Sequence, residues 1–148
     1  MKNTNDLAEL VREALARRRE ERNGCFVHNA AAAELLEHGA TAIPAIEAGV
    51  LEPGRLVPND LTSVMVMYFR LVREFGLTSP NLQFLNRLPA SHRLDALIGM
   101  GAAWGIKDSG LPALPAAFQQ YAETALQIGS DKELRAAERI LRHHGGPA

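Results

Sequence analysis

The chain has 148 residues, of which 47% are apolar, 22% charged and 5% aromatic, and its formal net charge is −1. This length suits a single domain, and the balanced charge argues against a nucleic-acid-binding protein, which carries an excess of Lys and Arg on one face. The one basic run, residues 17–22, is interrupted by Glu20 and Glu21. We therefore expect no nucleic-acid partner.

The cysteine count and the hydropathy pattern indicate in which cellular compartment the protein is expected. Cys25 is the single cysteine, so an intrachain disulfide is excluded and a reducing compartment is favoured. Residues 1–10 lack the apolar core of a signal peptide, and no run approaches the roughly 18 apolar residues of a membrane span. The sequence predicts a cytoplasmic protein with no membrane partner.

Apolar residues recur at three- and four-residue spacing along most of the chain, which predicts amphipathic helices. Abundant alanine and few aromatic residues favour an all-α fold over a sandwich or barrel. About seven to eight helices are expected in one domain over residues 1–148. The first is an N-terminal helix with a charged end within residues 1–24. The others span residues 26–38, 42–50, 61–75, 79–88, 92–104, 112–128 and 130–144, and a flexible tail follows over 145–148.

Several helix starts are marked by capping residues. Thr41 and Asp60 are predicted N-caps, because their side chains can accept hydrogen bonds from exposed backbone N–H groups. Ser130 and Glu133 fit a capping box. The helix over residues 61–75 is apolar around much of its circumference and is predicted to be central.

Four helix-like stretches each run into a glycine, at positions 39, 76, 105 and 145. Glycine after a helix is the usual left-handed stop, because it enters positive φ without a Cβ penalty. Recurrence about every 30–40 residues is typical of α-solenoid repeats. An apolar-Pro-Ala-apolar opening follows two of the stops, at residues 43–46 and 111–114, and residues 79–82 are a weaker version.

These features give residues 26–145 a resemblance to the HEAT-type repeat family. In that family a first helix ends at glycine and a second helix opens with the apolar-Pro-Ala-apolar signature. The resemblance implies a short, irregular α-solenoid of HEAT-like helical hairpins. An irregular helical bundle is the alternative architecture.

HEAT-like solenoids resemble interaction scaffolds in which the second helices line a concave surface. Here that surface would come from residues 42–49, 80–88 and 112–127, and the alternative is that these are merely solvated helix faces. The resemblance implies a non-catalytic protein–protein interaction module, an adaptor or an immunity-type inhibitor, whose partner is another protein. The polar candidates for partner binding are Glu47, Gln83, Arg87, Gln119, Gln120 and Glu123.

Two other functions compete with this interpretation. An enzyme or small-ligand-binding domain would place a pocket near Trp104, Met100 and Tyr121. A homo-oligomer would instead bury the apolar helix segment over residues 64–69.

Motifs for catalysis, cofactor binding and metal binding are weak. We therefore expect no catalytic residues, no cofactor and no metal. The histidines lack a metal-ligand spacing such as His-Glu-x-x-His. Cys25 lies near His28, but a thiol in this setting is more often a small buried apolar group than a nucleophile. Gly99, Gly101 and Gly105 depart from a dinucleotide loop, since the third glycine is one position late and the segment is helical. Small residues there predict a close approach of two helices.

Overall fold

The computed structural model describes residues 4–17, 20–22, 25–52, 60–104 and 114–144. This part of the chain is predominantly helical, which confirms the predicted all-α class and the expected number of helices. A short 3₁₀ helix spans Gly39–Thr41. The other elements are α1 (Thr4–Ala16), β1 (Glu20–Arg22), β2 (Cys25–Val27), α2 (Ala30–Glu37), α3 (Ala42–Val50), α4 (Leu61–Phe75), α5 (Ser79–Arg87), α6 (Ala90–Trp104), α7 (Ala116–Ile128) and α8 (Asp131–His144).

A β-hairpin stands where the sequence predicts the charged end of the first helix. Helix α1 ends at Ala16, and strands β1 and β2 then pair antiparallel with Glu20 opposite Val27. The expected helical extension is wrong at residues 20–22, which form a strand. The apolar stripe of α1 stops at Leu15, so a longer helix would have no face to bury, and helical stability comes mainly from such burial.

Helix α2 begins later than predicted, at Ala30 instead of residue 26. Residues 25–27 read Cys-Phe-Val, a composition that suits a strand. Asn29 is the N-cap of α2, and its side chain accepts a hydrogen bond from the Ala32 backbone N–H at 2.8 Å. The start of α2 is therefore set by this cap.

Helix α4 is the centre of the fold, as predicted. It packs against α1, α2, α3 and α6, while α8 packs against α6 and α7. Residues 63–69 of α4 are all buried within the single chain, so the segment 64–69, which a homo-oligomer would bury, is already part of the core. Two large apolar side chains of α4 and α6 are nevertheless exposed: Phe75 is 49% exposed and Ile98 is 39% exposed.

The contact between α4 and α6 explains the exposure of Ile98. The next residue, Gly99, faces the α4 backbone so closely that an added Cβ would lie 2.9 Å from the carbonyl carbon of Met65. Consecutive helix residues point about 100° apart, so Ile98 is turned away from α4. The prediction that small residues of α6 allow two helices to approach closely is thus confirmed at Gly99.

Two of the predicted glycine stops have positive φ. Gly39 has φ 62° and Gly76 has φ 100°, which is the backbone conformation that favours glycine. Gly105, Gly145 and the predicted tail over residues 145–148 lie outside the described residues. Most of the second Pro-Ala signature also lies outside them, and α7 begins at Ala116 after Pro115 instead of at residue 112.

Candidate partner-binding groove

A groove with a volume of about 1390 Å³ opens between α1, α3 and α5. We refer to it as the α3–α5 groove. Its apolar lining includes Leu7, Pro44 and Phe84, and its polar lining includes Glu47, Gln83 and Arg87. Three of the six candidate partner-binding residues therefore meet at one site.

The other three candidates lie elsewhere on α7. The Gln119 side-chain amide donates to the Leu114 carbonyl at 2.7 Å, next to the start of the helix. Gln120 lines a second groove between α5 and α7, with a volume of about 550 Å³, which we refer to as the α5–α7 groove. Glu123 is exposed and lines neither groove.

Glu47 is held in place by two buried neutral donors. The Tyr68 hydroxyl donates to Glu47 Oε2 at 2.6 Å, and Asn81 Nδ2 donates to the same oxygen at 2.8 Å. Tyr68 is 1% exposed and Asn81 is 3% exposed. Both donors come from other helices, so the Glu47 carboxylate has a fixed position on the groove lining.

The orientation of Asn81 follows from the local sequence at the start of α5. Thr78 and Asn81 form a capping box, in which Asn81 Oδ1 accepts hydrogen bonds from the backbone N–H and the hydroxyl of Thr78, each at 2.9 Å. Because its oxygen is engaged there, the amide nitrogen faces Glu47. The Ser79-Pro80-Asn81 sequence predicts a helix start, but the contact with Glu47 depends on tertiary packing.

Tyr68 reaches Glu47 from the central helix α4. Its ring packs against Phe84, with centroids 4.8 Å apart, and against Phe69 at 5.0 Å. Burial, followed by the neighbouring Glu47 carboxylate, raises the pKa of Tyr68 far above its ordinary value. The hydroxyl therefore keeps its proton and acts as a permanent donor to Glu47.

The charges around the α3–α5 groove are mixed. Arg12 Nη2 lies 3.6 Å from Glu52 Oε1, an ion pair in which both side chains are partly exposed. Such pairs contribute little to stability. Within the described part of the chain, Glu37 and Arg87 line the groove without an ion pair. The groove lining therefore carries charges of both signs.

The α5–α7 groove is smaller than the α3–α5 groove. Leu82, Leu88 and Ile128 line it together with Tyr121 and Arg93. Arg93 Nε lies 3.3 Å from Glu133 Oε1. Burial raises the pKa of Tyr121 to about 12, although the Arg93 charge acts in the opposite direction.

The three residues predicted to lie near a ligand pocket do not share either of the two grooves. Tyr121 lines the α5–α7 groove, whereas Met100 and Trp104 are buried in the core. The Trp104 ring makes an edge-to-face contact with Phe118, with centroids 5.5 Å apart. Met100 and Trp104 line neither of the two grooves.

His28, which lies close to Cys25 in the sequence, contacts a residue of helix α4 in the fold. His28 Nδ1 lies 2.8 Å from the Ser63 hydroxyl, at the start of α4. Ser63 is wholly buried, so its hydroxyl cannot meet a substrate. The Cys25 side chain is outside the part of the structure that is described. Among the residues that the structure describes, no group of three or more His, Cys, Asp or Glu side chains could hold a metal ion.

Comparisons with known proteins give no guide to this groove. No protein-family model, no curated protein and no solved structure matches the chain. In the described ranges, no helix combines the length and apolar character needed to cross a membrane.

Proposed function

We propose that the chain is a non-catalytic protein–protein interaction module, an adaptor or inhibitor acting in the cytoplasm, and that its partner binds in the α3–α5 groove. The observation that carries the proposal is the convergence of Glu47, Gln83 and Arg87 on one groove of about 1390 Å³. These residues come from α3 and α5, two of the helices that the HEAT resemblance assigns to a concave surface.

The proposed architecture is a short HEAT-like solenoid. In support, α2, α4, α6 and α8 pack one against the next, as the first helices of successive repeats do. The stops at Gly39 and Gly76 each precede the start of a second helix, α3 or α5. In such an array the second helices lie side by side and can line a common surface.

The dimensions and chemistry of the groove favour a polypeptide over a small molecule. Small-molecule pockets occupy about 300–1,000 Å³ and are mostly apolar. The α3–α5 groove is larger, and it combines apolar residues such as Pro44 and Phe84 with charged residues such as Arg87. Protein interfaces have this mixture of an apolar centre and a polar rim.

A matched pair of tryptophan variants tests the proposal. Gln83→Trp fills the groove from an exposed position of α5, and Glu138→Trp adds the same side chain to an exposed position of α8 that lines neither groove. Tagged wild-type protein is used to capture partners from the native lysate, beside both variants. We expect a stoichiometric partner with wild type and with Glu138→Trp, and at least a tenfold smaller yield with Gln83→Trp. Equal recovery with all three proteins, or no stoichiometric partner with any, would overturn the proposal.

A further inference from the structure

We infer that the partner segment carries an arginine or lysine side chain and that the Glu47 carboxylate binds its cationic group. This inference rests on the proposed function, since it names the chemistry of the partner that the α3–α5 groove accepts.

The geometry of Glu47 leaves one carboxylate oxygen for a ligand. Both Tyr68 and Asn81 donate to Oε2. Within the described chain, Oε1 accepts no hydrogen bond, and it is not among the buried unpartnered atoms. Since Glu47 lines the groove, Oε1 is an acceptor that a bound segment can reach.

The two donors orient the carboxylate without neutralising its charge. Tyr68 and Asn81 are neutral groups, and the described residues place no Lys, Arg or His nitrogen within 4 Å of Glu47. Of the two arginines that line the groove, Arg12 pairs with Glu52 and Arg87 forms no ion pair with Glu47. The negative charge is therefore fixed, partly buried and uncompensated, which is complementary to a cation supplied by the partner.

The surroundings of Glu47 also suit the aliphatic part of a basic side chain. Pro44, Ala48 and Pro80 line the same groove and are apolar. Arginine and lysine pack their methylene groups along such surfaces while the charged end reaches a polar partner. A bound segment with one basic residue would thus satisfy both the apolar lining and the carboxylate.

A random peptide library displayed on phage and selected on the full-length chain provides the probe. Wild type is compared with Glu47→Gln, whose side-chain carbonyl can still accept from Tyr68 and Asn81 but whose amide replaces the acceptor facing the groove. Glu138→Gln is the matched control, because it removes the same charge from an exposed position of α8 that lines neither groove. Gln83→Trp identifies peptides that bind in the groove.

We expect groove-binding peptides that share an arginine or lysine. Glu47→Gln should weaken their binding at least about tenfold, as expected for loss of a charge-assisted hydrogen bond, and Glu138→Gln less than threefold. Replacing the shared basic residue of the peptide by Gln should weaken binding to wild type and leave binding to Glu47→Gln nearly unchanged. This peptide substitution keeps the test valid even if a protein variant folds poorly.

Failure of the inference differs from failure of the proposed function. Peptides that Gln83→Trp blocks but that share no basic residue, or that bind Glu47→Gln as tightly as wild type, would overturn the inference alone. If no selected peptide is blocked by Gln83→Trp, the groove is not a polypeptide site, and both proposals are wrong.

Discussion

Asn29 and Asp60 cap two different helices and bind each other, with Asn29 Nδ2 donating to Asp60 Oδ2 at 3.0 Å. Asn29 Oδ1 caps α2, and Asp60 Oδ1 accepts from the Ser63 backbone N–H at 3.2 Å to cap α4. Asn29 Nδ2 also donates to the Ala14 carbonyl near the end of α1, at 2.9 Å. Both side chains are buried, so this pair ties three helix ends together.

Asn29→Ala should therefore cost more than the loss of one cap. A cap contributes about 1 kcal/mol, and leaving buried polar groups unpaired adds about 1–3 kcal/mol. We expect the free energy of unfolding, measured by denaturant titration, to fall by about 2–4 kcal/mol by this reasoning.

Thr41→Ala is the matched control for this variant. Thr41 occupies the N-cap position of α3, but its hydroxyl donates to the His38 carbonyl at 2.7 Å and makes no capping bond. Its loss should change the unfolding free energy by no more than about 0.5 kcal/mol, as for an ordinary surface substitution. Equal effects of the two substitutions would contradict the role given to Asn29.

The two glycines in the middle of α6 should respond to alanine in opposite directions. At Gly99 a Cβ would lie 2.9 Å from the Met65 carbonyl carbon and oxygen, which are backbone atoms of α4. Gly99→Ala should lower the unfolding free energy by about 1–3 kcal/mol through overpacking. At Gly101 the nearest atom is the side-chain Cγ1 of Ile140, at 3.5 Å. Gly101→Ala should be neutral or stabilising by up to about 1 kcal/mol, because alanine has the higher helix propensity.

The sequence predicts local features of this fold better than its long-range contacts. The start of α4 at Asp60 and the Ser130–Glu133 capping box are confirmed, because each depends on residues a few positions apart. The hairpin is not predicted, since three-residue strands carry almost no periodicity.

For the candidate site, too, the sequence predicts local features but not long-range contacts. Helical spacing identifies Glu47, Gln83 and Arg87 as polar positions of two helices, and the fold places them on one groove. The sequence does not identify Tyr68 and Asn81 as the donors to Glu47. In the sequence, Tyr68 is part of the apolar pattern of α4 and Asn81 is part of a helix start. Neither feature indicates that the two side chains reach Glu47.

Acid should weaken the fold in part through Glu133. Burial opposes its ionisation, but hydrogen bonds from the Ser130 backbone N–H and hydroxyl and the charge of Arg93 prevail, so the pKa of Glu133 is lowered. A carboxyl group with a lowered pKa stabilises the fold above its unfolded pKa, and this contribution is lost as the pH falls through the folded value.

Glu133→Gln should accordingly be less stable than wild type at neutral pH and lose less stability on acidification. Denaturant titrations at a series of pH values from neutral to below the ordinary pKa of 4.5 measure the difference. Glu123→Gln, which removes an exposed carboxylate of α7, is the control and should keep the wild-type dependence. A wild-type slope in Glu133→Gln would show that the ion pair and capping box do not act as described.

The two tyrosines of the chain should resist ionisation in the folded state. Burial raises the pKa of Tyr121 to about 12 and that of Tyr68 further. Groups with a raised pKa stabilise the fold below the unfolded value, and this stabilisation is lost as the pH rises through the folded value. Tyrosinate absorbance should thus be absent from the native protein at pH 10, whereas in denaturant both tyrosines titrate near their ordinary pKa of 10.0. A tyrosine half-ionised near pH 10 in the folded chain would contradict this burial.

The most direct test of the central claim is to locate the partner on the surface by site-specific photo-crosslinking. A photoreactive amino acid replaces Gln83 in the α3–α5 groove or, in a separate protein, Glu138 on the exposed face of α8. Each protein is irradiated in the cells that naturally produce the chain. The account predicts a covalent adduct with another protein from position 83 and none from position 138. An adduct from position 138 alone, or equal adducts from both, would contradict it.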